Sequence, residues 1–124
     1  MVQPFDREAF IAAAREASRP RLVGVTIQGV GSCWVRPLTA GDWVNAQAAE
    51  ARHAQAGIEI TPSMRMAIGL AQNLCGDQGQ PIFDVNNLEH LTMLAGLSMD
   101  AVSEAMVKAG EIRLMPSEGS DPNA

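Results

Sequence analysis

The sequence predicts an α+β fold that is mostly helical, with one β-hairpin packed against about four to five helices. Five stretches carry apolar residues at spacings of three and four, which is typical of amphipathic helices. One further segment alternates apolar and other residues around a Gly-Val-Gly turn, as a hairpin does. Hydrophobic residues make up 47% of the 124 residues, but aromatic residues only 4%. This composition favours closely packed helices over a large sheet.

The first helix is predicted over 5–18. Asp6 stands where its carboxylate can accept hydrogen bonds from the free N–H groups of the first turn. Pro20 ends the helix, because proline disfavours helical backbone in the residue before it. The residues that share its apolar face are Phe10, Ala14 and Ala17.

The hairpin is predicted over 21–37, and the glycines of its turn permit the positive φ that such turns need. Alternation places Val23, Val25 and Ile27 on one face of the first strand. In the second strand, Cys33 and Val35 share one face, and Trp34 and Arg36 share the other. Two strands alone are only marginally stable in water, so the hairpin must pack on helices or gain a strand from elsewhere. The sequence leaves the register of the two strands open.

The second helix is predicted over 39–56. Thr39 and Asp42 resemble a capping box, in which two side chains satisfy free backbone N–H groups at the start of a helix. A stripe of small apolar residues should allow a neighbouring element to approach closely. The residues of this stripe are Val44, Ala48 and Ala51.

The third helix is predicted over 62–75. It begins at Thr61-Pro62, where a capping residue precedes a proline whose missing N–H costs nothing in the first turn. The helix is apolar on most sides, which predicts that it lies in the middle of the fold. Its residues that are expected to need water are Arg65, Gln72 and Asn73.

Two closing helices are predicted over 86–96 and 98–109, with Ser98 as the cap of the second. Their expected inward-facing residues are Leu88, Leu91, Ala95, Val102, Ala105, Met106 and Ala109. Two further methionines, Met64 and Met93, are also expected in the core, and Glu104 is expected to pair with Lys108. Gly110 ends the last helix, so residues 1–110 form a single domain and 111–124 form a flexible C-terminal tail.

The residues capable of acid–base or metal chemistry form no recognised pattern. His53 lies in a polar and alanine-rich stretch and is expected to be solvated, whereas His90 is expected at the surface or at the core boundary. Asp77 lacks the alternating oxygen ligands and the final glutamate of a calcium loop. We therefore expect no catalytic residue, no metal and no cofactor.

Charge and hydropathy limit the classes of partner. Nine basic residues face fourteen acidic ones, and the net charge of −5 argues against direct binding of nucleic-acid phosphates. No stretch approaches the roughly 18 apolar residues of a membrane span, and the first residues lack the apolar core of a signal peptide. Cys33 and Cys75 each lie in an apolar run and are expected to be reduced thiols in a cytoplasmic protein.

One longer stretch carries a family resemblance. Residues 70–83, Leu-Ala-Gln-Asn-Leu-Cys-Gly-Asp-Gln-Gly-Gln-Pro-Ile-Phe, combine an apolar helix end, a tight polar turn and a hydrophobic anchor. With the strand-to-helix entry over 34–39 and the two closing helices, this stretch resembles the tail assembly chaperones of long-tailed bacteriophages and prophages. The resemblance covers about residues 23–109. It is carried by soft motifs rather than by a catalytic constellation.

The resemblance implies a non-enzymatic protein of the bacterial host cytoplasm. Such chaperones bind and solubilise the long helical tape measure protein, help to recruit tail tube subunits, and leave the mature virion. Self-association is also compatible with this role. Three other classes stay open: a structural head–tail connector or tail terminator protein, a small enzyme, and a helical DNA-binding regulator.

The candidate protein-binding residues are Ile112, Leu114 and Met115. They are apolar and follow the last predicted helix, next to a polar tail. Two interpretations are open: these residues pack back onto the domain, or they form a short exposed peptide that folds on binding a partner.

Overall fold

A computed structural model of the chain describes residues 4–19 and 21–114, with only the backbone for 112–114. Within these ranges, five helices and a three-stranded antiparallel sheet confirm the mostly helical α+β class. The elements are α1 (Arg7–Ala17), β1 (Val23–Ile27), β2 (Gly31–Val35), α2 (Ala40–Gln55), α3 (Pro62–Asn73), β3 (Leu74–Cys75), α4 (Leu88–Ala95) and α5 (Met99–Leu114).

The hairpin of β1 and β2 has a defined turn and register. The Val30 N–H donates to the Ile27 carbonyl over 2.9 Å and closes a four-residue turn. The third residue of this turn, Gly29, has a φ of 81°, which glycine adopts without steric cost. Val25 lies opposite Cys33 across the ladder. The inward face of β1 is apolar as predicted.

The predicted end of the third helix at residue 75 is wrong. The helix α3 ends at Asn73, and Leu74 and Cys75 form the short strand β3. This strand pairs with Trp34 and Val35, so the sheet order is β1-β2-β3. A short apolar run fits a buried helix end and a buried strand equally well, and here the open edge of β2 decides between them.

The core lies between one face of the sheet and the helices α3, α4 and α5. As predicted, α3 is central: it contacts α2, α4 and β3, while α5 packs against β1 and β2. The buried core residues are Val25, Ile27, Val35, Met64, Ala67, Ile68, Leu70, Ala71, Leu74, Leu91, Leu94, Ala101, Val102 and Ala105. No helix in the described part of the chain has the length and apolar character needed to cross a membrane.

The predicted apolar faces of α2 and α4 are partly wrong. The buried residues of α2 are Asp42, Ala49 and His53, whereas Val44 of the predicted stripe is 57% exposed. In α4 the buried residues are Leu91 and Leu94, not Leu88 or Ala95. In α4 two neighbouring stripes are apolar, and the position of the adjacent elements selects which one is buried. In α2 the buried stripe includes Asp42 and His53, which are buried because they have hydrogen-bond partners on other segments.

The methionines and the last helix also depart from expectation. Met64 is buried, but Met93 is 52% exposed and Met106 is 40% exposed, so neither fills the core. The helix α5 does not end at Gly110 and continues to Leu114, within the segment predicted to be a flexible tail. A single exposed glycine costs an otherwise favourable helix only about 1 kcal/mol, which is too little to end it.

The predicted pairing of Glu104 with Lys108 does not form. Lys108 instead lies 3.7 Å from Glu111, one turn further along α5. Glu104 accepts a long hydrogen bond of 3.4 Å from the Thr26 N–H at the edge of β1. The Glu104 carboxylate therefore satisfies a backbone N–H at the free edge of β1, where no neighbouring strand can accept its hydrogen bond.

The Arg36–Asp42 joint connects β2, α2 and α3. The Arg36 guanidinium donates two hydrogen bonds of 2.9 Å to the two oxygens of the Asp42 carboxylate. The predicted capping box is present: the Asp42 N–H donates to the Thr39 Oγ1 over 3.1 Å, and the Thr39 N–H donates to the Asp42 Oδ2 over 2.8 Å. One carboxylate thus starts α2 and attaches it to the end of the sheet.

The C-terminal end of α3 completes this joint. Gln72 is buried, and its Nε2 donates to the Asp42 carbonyl over 2.7 Å, so the prediction that Gln72 needs water is wrong. The Asn73 side chain donates to the Arg36 carbonyl over 2.8 Å, and the Arg36 N–H donates to the Asn73 carbonyl over 2.9 Å. Buried amides are stable when a backbone group replaces water in this way.

The joint also sets the ionisation of Asp42. Burial favours the neutral carboxyl, but the hydrogen bonds from Arg36 and Thr39 outweigh it and hold the pKa of Asp42 below its ordinary value of 3.8. The hydrogen bond from Asp42 in turn raises the pKa of Arg36. The pair is therefore ionised at neutral pH.

We predict that Asp42→Ala lowers the free energy of unfolding by about 2–4 kcal/mol, because it removes a helix cap and leaves a half-buried guanidinium without its partner. Glu50→Gln is the matched control, since it breaks the more exposed ion pair between Arg65 and Glu50 and should cost less than about 1 kcal/mol. Urea unfolding monitored by circular dichroism measures both values. Equal costs for the two variants would contradict a special role for the joint.

We further predict an acid-dependent loss of stability that Asp42→Asn removes. Because the pKa of Asp42 is lower in the folded chain, its contribution is complete above the ordinary value of 3.8 and is lost as the pH falls through the folded value. The stability difference between the wild type and Asp42→Asn should therefore be constant above about pH 5 and shrink below about pH 4. Unfolding free energies measured from pH 2.5 upwards test this, and parallel curves would be the contrary result.

Candidate protein-binding site

The binding residues predicted from sequence are not tested by the structure. Ile112 and Leu114 belong to the last turn of α5, where the structure describes the backbone but not the side chains. Met115 also lies outside the described residues. The candidate site below is therefore built from other parts of the chain.

The stretch that carries the family resemblance forms a tight turn. The Gly76 N–H donates to the Gln80 carbonyl over 2.8 Å, and Cys75 is bridged to Pro81 in antiparallel fashion. Gly79 has a φ of 79°, which this turn requires and glycine allows. The turn returns the chain to the core, where Phe83 is partly buried. The residues of this stretch therefore have a structural role in forming the turn.

A cavity of about 470 Å³ with both polar and apolar walls lies beside this turn. Its walls include Arg36, Asp42, Asp84 and His90. The Arg36 guanidinium is engaged by Asp42, and the His90 Nδ1 accepts from the Asp84 N–H over 3.0 Å. The His90 ring packs edge-on against Phe83 with centroids 5.7 Å apart, which confirms it as a residue of the core boundary. These polar groups therefore make contacts that stabilise the fold.

His53 is not solvated as predicted. It is 6% exposed, and its Nε2 lies 2.9 Å from the Val85 carbonyl. This contact fastens α2 to the segment that precedes α4. Sequence periodicity missed it because the partner is a backbone carbonyl 32 residues away. In the described ranges, no group of three His, Cys, Asp or Glu residues is arranged to hold a metal ion.

The two cysteines are free thiols, as predicted. Cys75 is buried, and Cys33 is partly buried. Burial raises the pKa of each thiol, which lowers its thiolate fraction at neutral pH. Neither thiol therefore has the environment of an activated nucleophile.

An apolar groove of about 360 Å³ lies between α2 and α3 and is here called the α2–α3 groove. Residues that line it include Leu38, Trp43, Ala46, Glu50, Ile68 and Gly69. Arg65 of α3 donates to Glu50 of α2 over 2.8 Å and joins the two walls. The groove therefore has apolar walls and one ion pair between its two helices.

Trp43 is turned outward by the joint at the start of α2. Asp42 faces inward to Arg36, and the next residue of a helix is rotated by about 100°, which places Trp43 toward solvent. Trp43 is 64% exposed and Leu38 is 51% exposed. Large apolar side chains at this level of exposure on a groove are typical of interaction surfaces, and Trp is the residue type most enriched at binding hot spots.

Gly69 contributes an open position to the groove. It lies inside α3, where glycine costs about 1 kcal/mol relative to alanine. A Cβ atom at this position would meet no heavy atom within 4 Å beyond its chain neighbours and the nearby helix backbone. The packing of this chain therefore does not require glycine there, and the missing side chain leaves room for a group from outside.

We predict that Gly69→Ala raises the free energy of unfolding by about 0.5–1 kcal/mol, because the helix gains propensity without a steric conflict. Thermal unfolding of the isolated chain measures the change. Gly79→Ala is the opposite control, since the φ of 79° at Gly79 is a conformation that residues with a side chain rarely adopt. A Gly69→Ala variant less stable than the wild type would show that the position is not open.

Comparisons of the chain with models of protein families, with curated proteins and with solved structures found no significant match. The candidate site consequently stands on its residues and geometry alone.

Proposed function

We propose that this chain is a tail assembly chaperone of a bacteriophage or prophage. It acts in the cytoplasm of the bacterial host as a non-catalytic protein that binds the tape measure protein and helps to recruit tail tube subunits. The observation that carries the proposal is the open α2–α3 groove, with Trp43 and Leu38 exposed at its walls and no side chain at Gly69.

The shape and chemistry of the groove suit a helical client. An amphipathic helix binds by laying its apolar face into a groove between other helices, with anchor residues one turn apart. The open position at Gly69 permits close approach of such a helix, and Trp43 supplies a large apolar contact. A tape measure protein that awaits assembly needs such cover, because its long helices would otherwise expose apolar faces to one another.

Exposed methionines support binding of a variable helical sequence. Met66, Met93, Met99 and Met106 are each between 40% and 57% exposed. Methionine side chains are flexible and polarizable, so a surface that contains them can adapt to different apolar partners. This property suits a client in which many successive segments must be covered.

Co-expression tests the proposal. The tape measure protein encoded with this chain should be recovered in the soluble fraction when the chain is present and should aggregate in its absence. The double variant Leu38→Ser and Trp43→Ser should reduce the recovered soluble client severalfold, because both side chains are exposed at the groove and do not belong to the core. Val30→Ser is the matched control, since Val30 is 63% exposed at the tip of the hairpin.

Two results would contradict this function. Solubility of the client that is unchanged by the groove variants would remove the groove from the mechanism. Mass spectrometry of purified virions gives the second test, because a chaperone leaves the finished particle. Stoichiometric presence of the chain in virions would instead indicate a head–tail connector or a tail terminator protein.

A further inference from the structure

The helix α1 has apolar side chains with no buried contact. None of its eleven residues is buried. Phe5, just before the helix, is 75% exposed, and Phe10 is 63% exposed. Their rings pack against each other with centroids 5.6 Å apart, so they form one apolar projection, here called the Phe5–Phe10 pair. An isolated helix of this length is only marginally stable in water, so α1 needs a surface to pack against.

The face of α1 that bears Phe10 consists mainly of alanine, with Arg7 at its edge. Ala13, Ala14 and Ala17 follow Phe10 at helical spacings of three, four and seven. Small side chains allow the backbone of a helix to approach its partner closely. Glu8 lies elsewhere on the helix, whereas Arg7, three residues before Phe10, lies at the edge of this face.

The same chain carries an open site of matching character. The α2–α3 groove is apolar, its Trp43 and Leu38 are exposed, and its floor at Gly69 is empty. The groove has no side chain at Gly69, and the Phe5–Phe10 pair is largely exposed apart from the contact between its own two rings. We propose that α1 of a second copy of this chain occupies the groove, so that two copies exchange helices in a twofold symmetric dimer.

The area that such an exchange covers is sufficient for a stable dimer. With about 150–250 Å² for each fully covered aromatic side chain, the exposed parts of Phe5, Phe10 and Trp43 amount to roughly 400 Å² in each copy. Twofold symmetry doubles this area to roughly 800 Å², and the adjacent Leu38, Ile11 and alanine surfaces bring it to the range of about 1,200 Å² or more that specific interfaces bury.

The connection between α1 and the sheet is short. Only residues 18–22 separate α1 from β1, and a segment of this length spans at most about 18 Å. The first residue of β1, Val23, lies opposite Val35 at the end of β2, three residues before Leu38 of the groove. This tether limits how far α1 can lie from its own sheet, so a symmetric partner must bring its groove within that reach to receive it.

Sedimentation equilibrium of the full chain over a range of concentrations tests this dimer. We expect the wild type to be a reversible dimer. Phe10→Ala removes the anchor while improving helix propensity, and Gly69→Leu fills the groove from its floor without a conflict at Cβ. Each change should weaken dimerisation by more than about tenfold, as removal of an interface anchor does. Val107→Ser, which removes another exposed apolar side chain, is the matched control.

Mixing the two variants gives a sharper result. Phe10→Ala keeps an intact groove, and Gly69→Leu keeps an intact α1, so a mixture can form one of the two helix-in-groove contacts. The mixture should therefore associate more strongly than either variant alone. A monomeric wild type, which would also be the result if α1 docked into its own groove, would overturn the proposal. So would a dimer that neither variant weakens, or a mixture that associates no better than its components.

These measurements use the chain alone. Their outcome is therefore independent of the co-expression experiment, and either result can fail without the other.

Discussion

The arrangement of this protein depends on the carboxylate of Asp42. It accepts from the Thr39 N–H at the start of α2 and from the two terminal nitrogens of the Arg36 guanidinium, and the backbone carbonyl of the same residue accepts from Gln72 of α3. The end of β2, the start of α2 and the end of α3, which lies 30 residues further along the chain, thereby meet at one point. A bidentate ion pair with low exposure on both sides is far more directional than apolar packing, so it sets the angle at which α2 leaves the sheet.

The candidate binding surface follows from the same contact. With Asp42 turned inward, the helix must present Trp43 to solvent, and α2 lies beside α3 with Ala46 and Gly69 between them. Small residues here allow the two helices to lie close together and leave the space above them unfilled. The fold therefore produces an apolar groove where a larger residue at Gly69 would have closed it, and this relation between joint and groove makes a protein-binding role physically coherent.

The same groove is open to two kinds of helix. A client helix and α1 of a second copy would offer it the same chemistry, an apolar face with small residues and one or two large anchors. If both bind, they compete for the groove. The dimer would then keep the groove covered until a client helix displaces α1. Trp43 would then be covered in both states, whereas the exposed Phe5–Phe10 pair would be covered only in the dimer.

The sequence by itself determined the elements of the fold that depend on local chemistry. The caps at Asp6, Thr39, Thr61 and Ser98, the hairpin turn at Gly29 and the central place of α3 all follow from neighbouring residues. Only the tertiary structure decided which apolar stripe of α2 and α4 is buried, that Leu74 and Cys75 join the sheet, and that His53 binds the Val85 carbonyl. Those outcomes depend on partners more than ten residues away, which no local pattern contains. The groove is another such outcome. In the sequence, Gly69 indicates only a less stable position in a helix, and it forms part of a groove because α2 lies beside α3.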